Sequence, residues 1–170
     1  MKKHAIIFGS ARSDGNTMMA VKQIMENLKV PLLIDLAGYG IGDFDYTHAH
    51  DNDDFLKIVD RMMEYETLIF ATPIYWYTMS VPMKRFIDRV TDLLTIHKDI
   101  GRKLRQKKMA VVCSYSTYPE GMNGFEQIFM NTARYLGMTY LGCYFHYAGD
   151  LVEILDDNQR QQVKFLNLIG

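Results

Sequence analysis

The chain is poor in the features that would tie it to a secretory route, a membrane or a nucleic acid. Only two of its 170 residues are cysteine. Cys113 and Cys143 stand in apolar runs without the spacing of a metal site or a redox motif, so they are read as reduced core residues. Disulfide staples are not needed, because a chain of this length with 48% hydrophobic residues can bury about 70% of its unfolded surface in one core. Neither sign of charge is in excess: the net charge of -1 argues against nonspecific nucleic-acid binding. Long apolar runs are missing too. The stretch after Lys2-Lys3 ends at Gly9, and nothing approaches the length of a membrane span. The expectation is a cytoplasmic protein forming one domain over residues 1–170, with no membrane or nucleic-acid partner. The single basic cluster, Arg102, Lys103, Arg105, Lys107 and Lys108, is read as a solvated loop before a strand.

What the sequence does have is alternation. Continuous apolar runs at 5–8, 32–34, 68–71, 109–113 and 140–145 lack in/out periodicity, which marks strands covered on both faces. Between them lie residues at helical spacing: Met18, Val21, Met25 and Leu28; Phe55, Ile58, Val59 and Met62; Met83, Phe86, Ile87 and Val90; Phe125, Ile128, Phe129 and Leu136. A weaker fifth helix is read over 156–168. The fold class is therefore α/β: a doubly wound three-layer sandwich around a five-stranded parallel sheet of order 2-1-3-4-5, with right-handed crossovers. Its topological switch point lies between the first and third strands, so the loops after Phe8, Ala71 and Cys113 should frame a ligand site.

The first of these loops reads Gly9-Ser10-Ala11-Arg12-Ser13-Asp14-Gly15-Asn16-Thr17. A strand that enters such a loop and then a helix N-terminus suits an anion, because free N–H groups of the first helical turn and the helix dipole both face it. Ser10 and Thr17 offer hydroxyls, Asn16 an amide or a helix cap, and Arg12 a fork of donors matched to phosphate. An ordinary capped helix beside a surface arginine would use the same residue types. Five residues separate Gly9 from Gly15 and Asn16 stands where a nucleotide triphosphatase loop has lysine, while the three-glycine dinucleotide fingerprint is absent. A phosphate monoester is the better match. The second loop carries Tyr75-Trp76-Tyr77, including the only tryptophan. Successive aromatics cannot all point inward, so the loop suits a flat aromatic ligand or another subunit.

The combination of Gly9-Ser10-x-Arg12-x-x-Gly15-Asn16-Thr17, Thr72-Pro73-Ile74-Tyr75-Trp76 and Lys84-x-Phe86-x-Asp88-Arg89 resembles the NADPH-dependent FMN reductase family of flavodoxin-like proteins. The resemblance implies a flavodoxin-like sandwich in which Ser10, Arg12, Asn16 and Thr17 bind the FMN phosphate and Pro73, Ile74, Tyr75 and Trp76 line the flavin. Lys84, Phe86, Asp88 and Arg89 are read as packing and surface-pairing residues. It also implies NADPH or NADH as co-substrate and a small acceptor such as a quinone or another flavin. The flavin would carry the chemistry, so no catalytic acid, base or nucleophile is assigned. The loop over 114–121 lacks the paired glycines often seen in relatives. The segment over 38–51 lacks the cysteines that would ligate an iron-sulfur cluster. Its His48, His50 and Asp51 are read as a polar loop that caps a helix at Asp51 or Asn52, and no metal site is assigned. A homodimer is expected, with Tyr77, Met79 and the helix from Pro82 at the interface. A flavodoxin-type electron carrier and a noncatalytic interaction domain share the fold. Arg12 and the near-neutral charge disfavour the carrier.

Overall fold

The first strand shows why its sequence does not alternate. In β1 (Lys2–Phe8), Ala5 and Ile7 enter one buried cluster while Ile6 and Phe8 enter another on the opposite face. Both faces are covered, so every second residue is apolar on each side. The computed structural model describes residues 2–116, 122–149 and 152–170. After β1 come α1 (Asn16–Met25), β2 (Leu32–Asp35), α2 (Phe55–Met62), β3 (Tyr65–Tyr75), β4 (Thr78–Met79) and α3 (Val81–Arg89). The short helices α4 (Asp92–Thr95) and α5 (Lys98–Lys103) lead to β5 (Lys108–Tyr115), α6 (Met122–Leu136), β6 (Thr139–Tyr147) and α7 (Val152–Ile169).

The parallel strands lie in the order β2-β1-β3-β5-β6, which is the 2-1-3-4-5 arrangement of a flavodoxin-like fold once the two-residue β4 is set aside. That strand pairs antiparallel with the end of β3, through Ile74↔Met79 and Tyr75↔Thr78. Residues of α1 and α7 (Met18, Val21, Ile24, Phe165 and Ile169) pack on one face of the sheet. Those of α2, α3 and α6 (Phe55, Ile58, Phe86, Phe125 and Phe129) pack on the other. Cys113 and Cys143 are free, with their Sγ atoms 3.6 Å apart, and burial pushes the Cys143 thiol up. Among the described residues no helix is long and apolar enough to cross a membrane.

The basic cluster is not a loop. Arg102 and Lys103 end α5 and Arg105 lies in a 3-10 turn. Lys107 is buried with its Nζ donating to the carbonyls of Met63 (2.7 Å) and Tyr65 (2.6 Å), and Lys108 pairs with Glu66 at 2.6 Å. Nor does the helix cap fall at Asp51 or Asn52. The N-cap of α2 is Asp54, while the Asp53 carboxylate accepts the Phe55 N–H at 2.8 Å.

The long connection over 39–54 is held down from α3 and α4. Arg89, only 2% exposed, donates to Asp92 Oδ2 (2.7 Å), Asp53 Oδ2 (2.5 Å) and the carbonyls of His50 (3.0 Å) and Gly42 (3.3 Å). Its guanidinium carbon lies 4.9 Å from the centroid of the Phe55 ring. His48 Nδ1 meets Asp92 Oδ1 at 2.8 Å and His97 Nε2 meets Asp51 Oδ1 at 2.5 Å. These histidines are thus spent on carboxylates, and the described residues contain no group of three or more ligands that could hold a metal ion.

Candidate functional site

At the carboxyl end of β1 the backbone is committed to a close approach. The Gly9 N–H donates to the Ala71 carbonyl at 2.9 Å, and a Cβ on Gly9 would lie 2.9 Å from Met83 N and 3.0 Å from its Cα. The first turns of α3 therefore sit directly against the start of the loop, which only glycine allows. Ser80, just before α3, donates from Oγ to the Gly9 carbonyl (2.7 Å), and its N–H donates to Thr72 Oγ1 (3.0 Å). These buried hydroxyls lock the end of β1 to the end of β3.

Beyond Gly9, the side chain of Ser10 is buried and its Oγ accepts the Arg12 N–H at 3.3 Å. The N-cap of α1 is Gly15, so no side chain caps the helix, and its first turn carries no acidic residue. Asn16 is the first helical residue and leaves its amide outside the cap. The Arg12 guanidinium lies back across the helix start: a Cβ on Gly15 would come within 3.2 Å of its Nη2. Among the described residues it forms no ion pair. Thr17 Oγ1 and Ser114 Oγ are 2.7 Å apart, joining α1 to the end of β5.

Ser10, Arg12, Asn16, Thr17, Pro73, Ile74 and Tyr75 line one cleft, together with Gly15, Ser114, Tyr115 and Ser116. Seven of the eight residues assigned from sequence therefore converge. Trp76 does not line it: its side chain is 94% exposed at the tip of a hairpin. The stretch read as an aromatic loop is in fact the end of β3, a two-residue turn and β4, with Trp76 (φ 50°) and Tyr77 (φ 63°) both left-handed as a type I′ turn requires. Met79 is 5% exposed and belongs to the core, so it lies outside the exposed face to which it was assigned. Tyr75, Tyr77 and Val81 are exposed around Trp76.

Ser114, Tyr115 and Ser116 were missing from the sequence-based set. Their signal was positional, at the carboxyl end of the strand beside the switch point. Burial raises the Tyr115 pKa, so its phenol stays protonated, and its ring meets that of Tyr147 edge-on at 5.3 Å. The remainder of that loop, 117–121, lies outside the described residues. The later helical motif divides as its residue types suggest: Phe86 is core, Lys84 pairs with Asp88 on the surface at 2.6 Å, and Arg89 is the buried clamp. The cleft joins an acid-free helix N-terminus without a side-chain cap, and a guanidinium that forms no ion pair among the described residues, to a wall formed by Pro73, Ile74 and Tyr75. Such donors fit a phosphate, and such a wall fits a flat ring.

A family model described as NADPH-dependent FMN reductase matches residues 2–150. The chain is 30% identical over 167 residues to YwqN of Bacillus subtilis (strain 168), named as an NAD(P)H-dependent FMN-containing oxidoreductase, covering 92% of this chain and 91% of that one. Among solved structures it is similar to the Trp repressor binding protein of Bacillus subtilis, with 25% identity, a TM-score of 0.75 and 99% of each chain covered. An NADPH-quinone reductase from P. pentosaceus shares the fold at 18% identity and a TM-score of 0.68, with 100% of this chain and 98% of that one covered.

Proposed function

We propose, from the premise that this chain belongs to the NADPH-dependent FMN reductase family and is an FMN-dependent NAD(P)H oxidoreductase, that its FMN occupies the cleft at the ends of β1, β3 and β5. Ser10, Arg12, Asn16 and Thr17 hold the phosphate; Pro73, Ile74 and Tyr75 line the isoalloxazine, and Trp76 borders it from the hairpin tip. The chemistry that FMN supplies is hydride uptake from NADPH or NADH and delivery of electrons to a quinone, a flavin or a similar small acceptor. The side chains bind, orient and control access. The observation that carries this reading is the convergence, in one cleft, of the uncapped α1 N-terminus and Arg12 with the wall from β3. The whole of 1–170 forms one FMN-binding domain on this reading, and the reduced thiols of Cys113 and Cys143 suit the cytoplasm.

A visible spectrum of the purified protein, followed by anaerobic addition of NADH and then NADPH, tests the assignment. The expected result is a bound yellow flavin bleached directly by two electrons. A colourless protein that takes up no added FMN, or a flavin that stops at the one-electron stage and reacts sluggishly with either donor, refutes it. The exposed Tyr75, Trp76, Tyr77 and Val81 also support a homodimer built on the hairpin, because a monomer has little reason to display them together. Sedimentation at micromolar concentration should give a dimer that Trp76→Ser weakens; a wild-type monomer would refute this.

A further inference from the structure

A second cavity, of about 510 Å³, adjoins the first across Asn16, which lines both. It is a groove between α1 and α7, floored by the end of β6. Along α1 it runs from Asn16 to Gln23 and Glu26, seven and ten residues on. At the helical rise these lie about 10 and 15 Å from Asn16, a length comparable with an extended nucleoside monophosphate. Gln162 Nε2 donates to the Gln23 carbonyl at 3.1 Å and ties the two helices together beside the groove.

The lining is polar but contains no cation. Gln159 and Gln162 offer amides, Glu26 a carboxylate, and the floor presents a buried imidazole. His146 is 8% exposed, and its strand partner is Ser114, whose Oγ meets Thr17. Its Nδ1 lies 3.1 Å from Tyr144 Oη, while Nε2 has no partner among the described residues. Burial lowers the His146 pKa and pushes that of Tyr144 up to about 12, so the pair is neutral and can serve a ligand with both donors and acceptors. A free anion would find no positive charge inside the groove. A heterocycle and a ribose would find partners there, provided that their phosphate lies outside it, beyond Asn16 in the cleft that Arg12 lines.

We infer that this groove receives the adenylate half of FAD, so that the protein accepts FAD in place of FMN, with Asn16 at the junction of the two halves. The inference rests on the phosphate placement proposed above. Flavin-free protein is titrated with FMN and with FAD, for the wild type and for Gln159→Trp, which fills the groove from an exposed position; Glu26→Trp does the same from the facing wall. The expected result is that the wild type binds both flavins and that each variant loses at least tenfold in FAD affinity while FMN affinity is unchanged. Normal FMN binding with FAD excluded, or FAD affinity unchanged in both variants, overturns this inference alone. Failure of the wild type to bind either flavin overturns the phosphate placement as well. The nicotinamide cofactor also carries an adenylate, so KM for NADPH is measured on the FMN-loaded variants. A KM that rises in both while FAD affinity holds assigns the groove to that cofactor and overturns the inference.

Discussion

Replacing Arg12 by alanine separates binding from folding. The side chain is exposed, and among the described residues its guanidinium forms no ion pair, so its removal should leave thermal stability nearly unchanged. The loss falls on the ligand. Hydrogen bonds to charged groups are worth about 1.5–3 kcal/mol, which at 1.4 kcal/mol per decade corresponds to roughly a 10- to 150-fold rise in Kd for FMN. Solvent screening of an exposed pair favours the lower end, so about tenfold is the expected value, shrinking as salt is raised. Lysine at this position keeps the charge but not the planar fork, and should recover only part of the loss. Riboflavin, which has no phosphate, is the internal control. Fluorescence titrations of both flavins at fixed ionic strength provide the measurement. Equal loss for FMN and riboflavin, or none for either, would show that Arg12 does not meet the phosphate.

Acid should weaken the fold through its buried histidines. His4 is 3% exposed; its Nε2 donates to the Ile169 carbonyl at 3.1 Å, while its buried Nδ1 has no partner among the described residues, and burial first of all lowers its pKa. His146 is lowered by burial as well. A depressed histidine pKa means that the unfolded chain binds the proton more readily. Their contribution is therefore complete above about pH 6.5 and is lost as the pH falls from there through the lower folded values. Melting temperatures measured between pH 7.5 and 5 should fall, and His4→Phe should flatten the slope; a melting temperature that is constant over that range refutes the assignment. Trp76, the only indole in the chain, should lose most of its emission when one FMN binds per chain, and riboflavin should quench it too. Emission unchanged at saturating FMN, with binding measured independently, would remove the hairpin from the flavin wall.

The sheet was legible because burial on both faces writes itself into the sequence as unbroken apolar runs, and all five such runs became parallel strands. What was missed lacks that signature. Helices α4 and α5 have four and six residues, too few to show a period of 3.6. Their positions are fixed instead by contacts distant in sequence, such as those of Asp92 with His48 and of His97 with Asp51 in the connection over 39–54. Lys107 has a charge that reads as solvent-facing, yet its ammonium satisfies two carbonyls at the end of α2 and the start of β3. Composition alone cannot distinguish a solvated lysine from one whose head group replaces water at buried carbonyls.

Within the site, the convergence of the loop after β1 on the cleft was legible because glycine, hydroxyl and guanidinium sit close together in the sequence. The hairpin was not. A two-residue I′ turn normally announces itself as Asn-Gly, since both central residues must have positive φ, and here Trp76 and Tyr77 take those positions. Bulky residues in this region cost on the order of 1–3 kcal/mol each, so the turn persists only because its surroundings over-determine it. Those surroundings are visible: Met79 is anchored in the core, Ile74 and Tyr75 pair with β4, and Ser80 is bound to Thr72 and Gly9. A sequence selected for stability alone would place glycine or asparagine at the tip. Two large aromatic side chains held there in a strained turn, one of them almost wholly exposed, make sense if the tip is shaped for contact with a ring or a second subunit rather than for the turn itself. The same hydroxyl contacts that hold the hairpin also reach the backbone of Gly9 at the start of the loop after β1, so the two walls of the cleft are positioned as one unit.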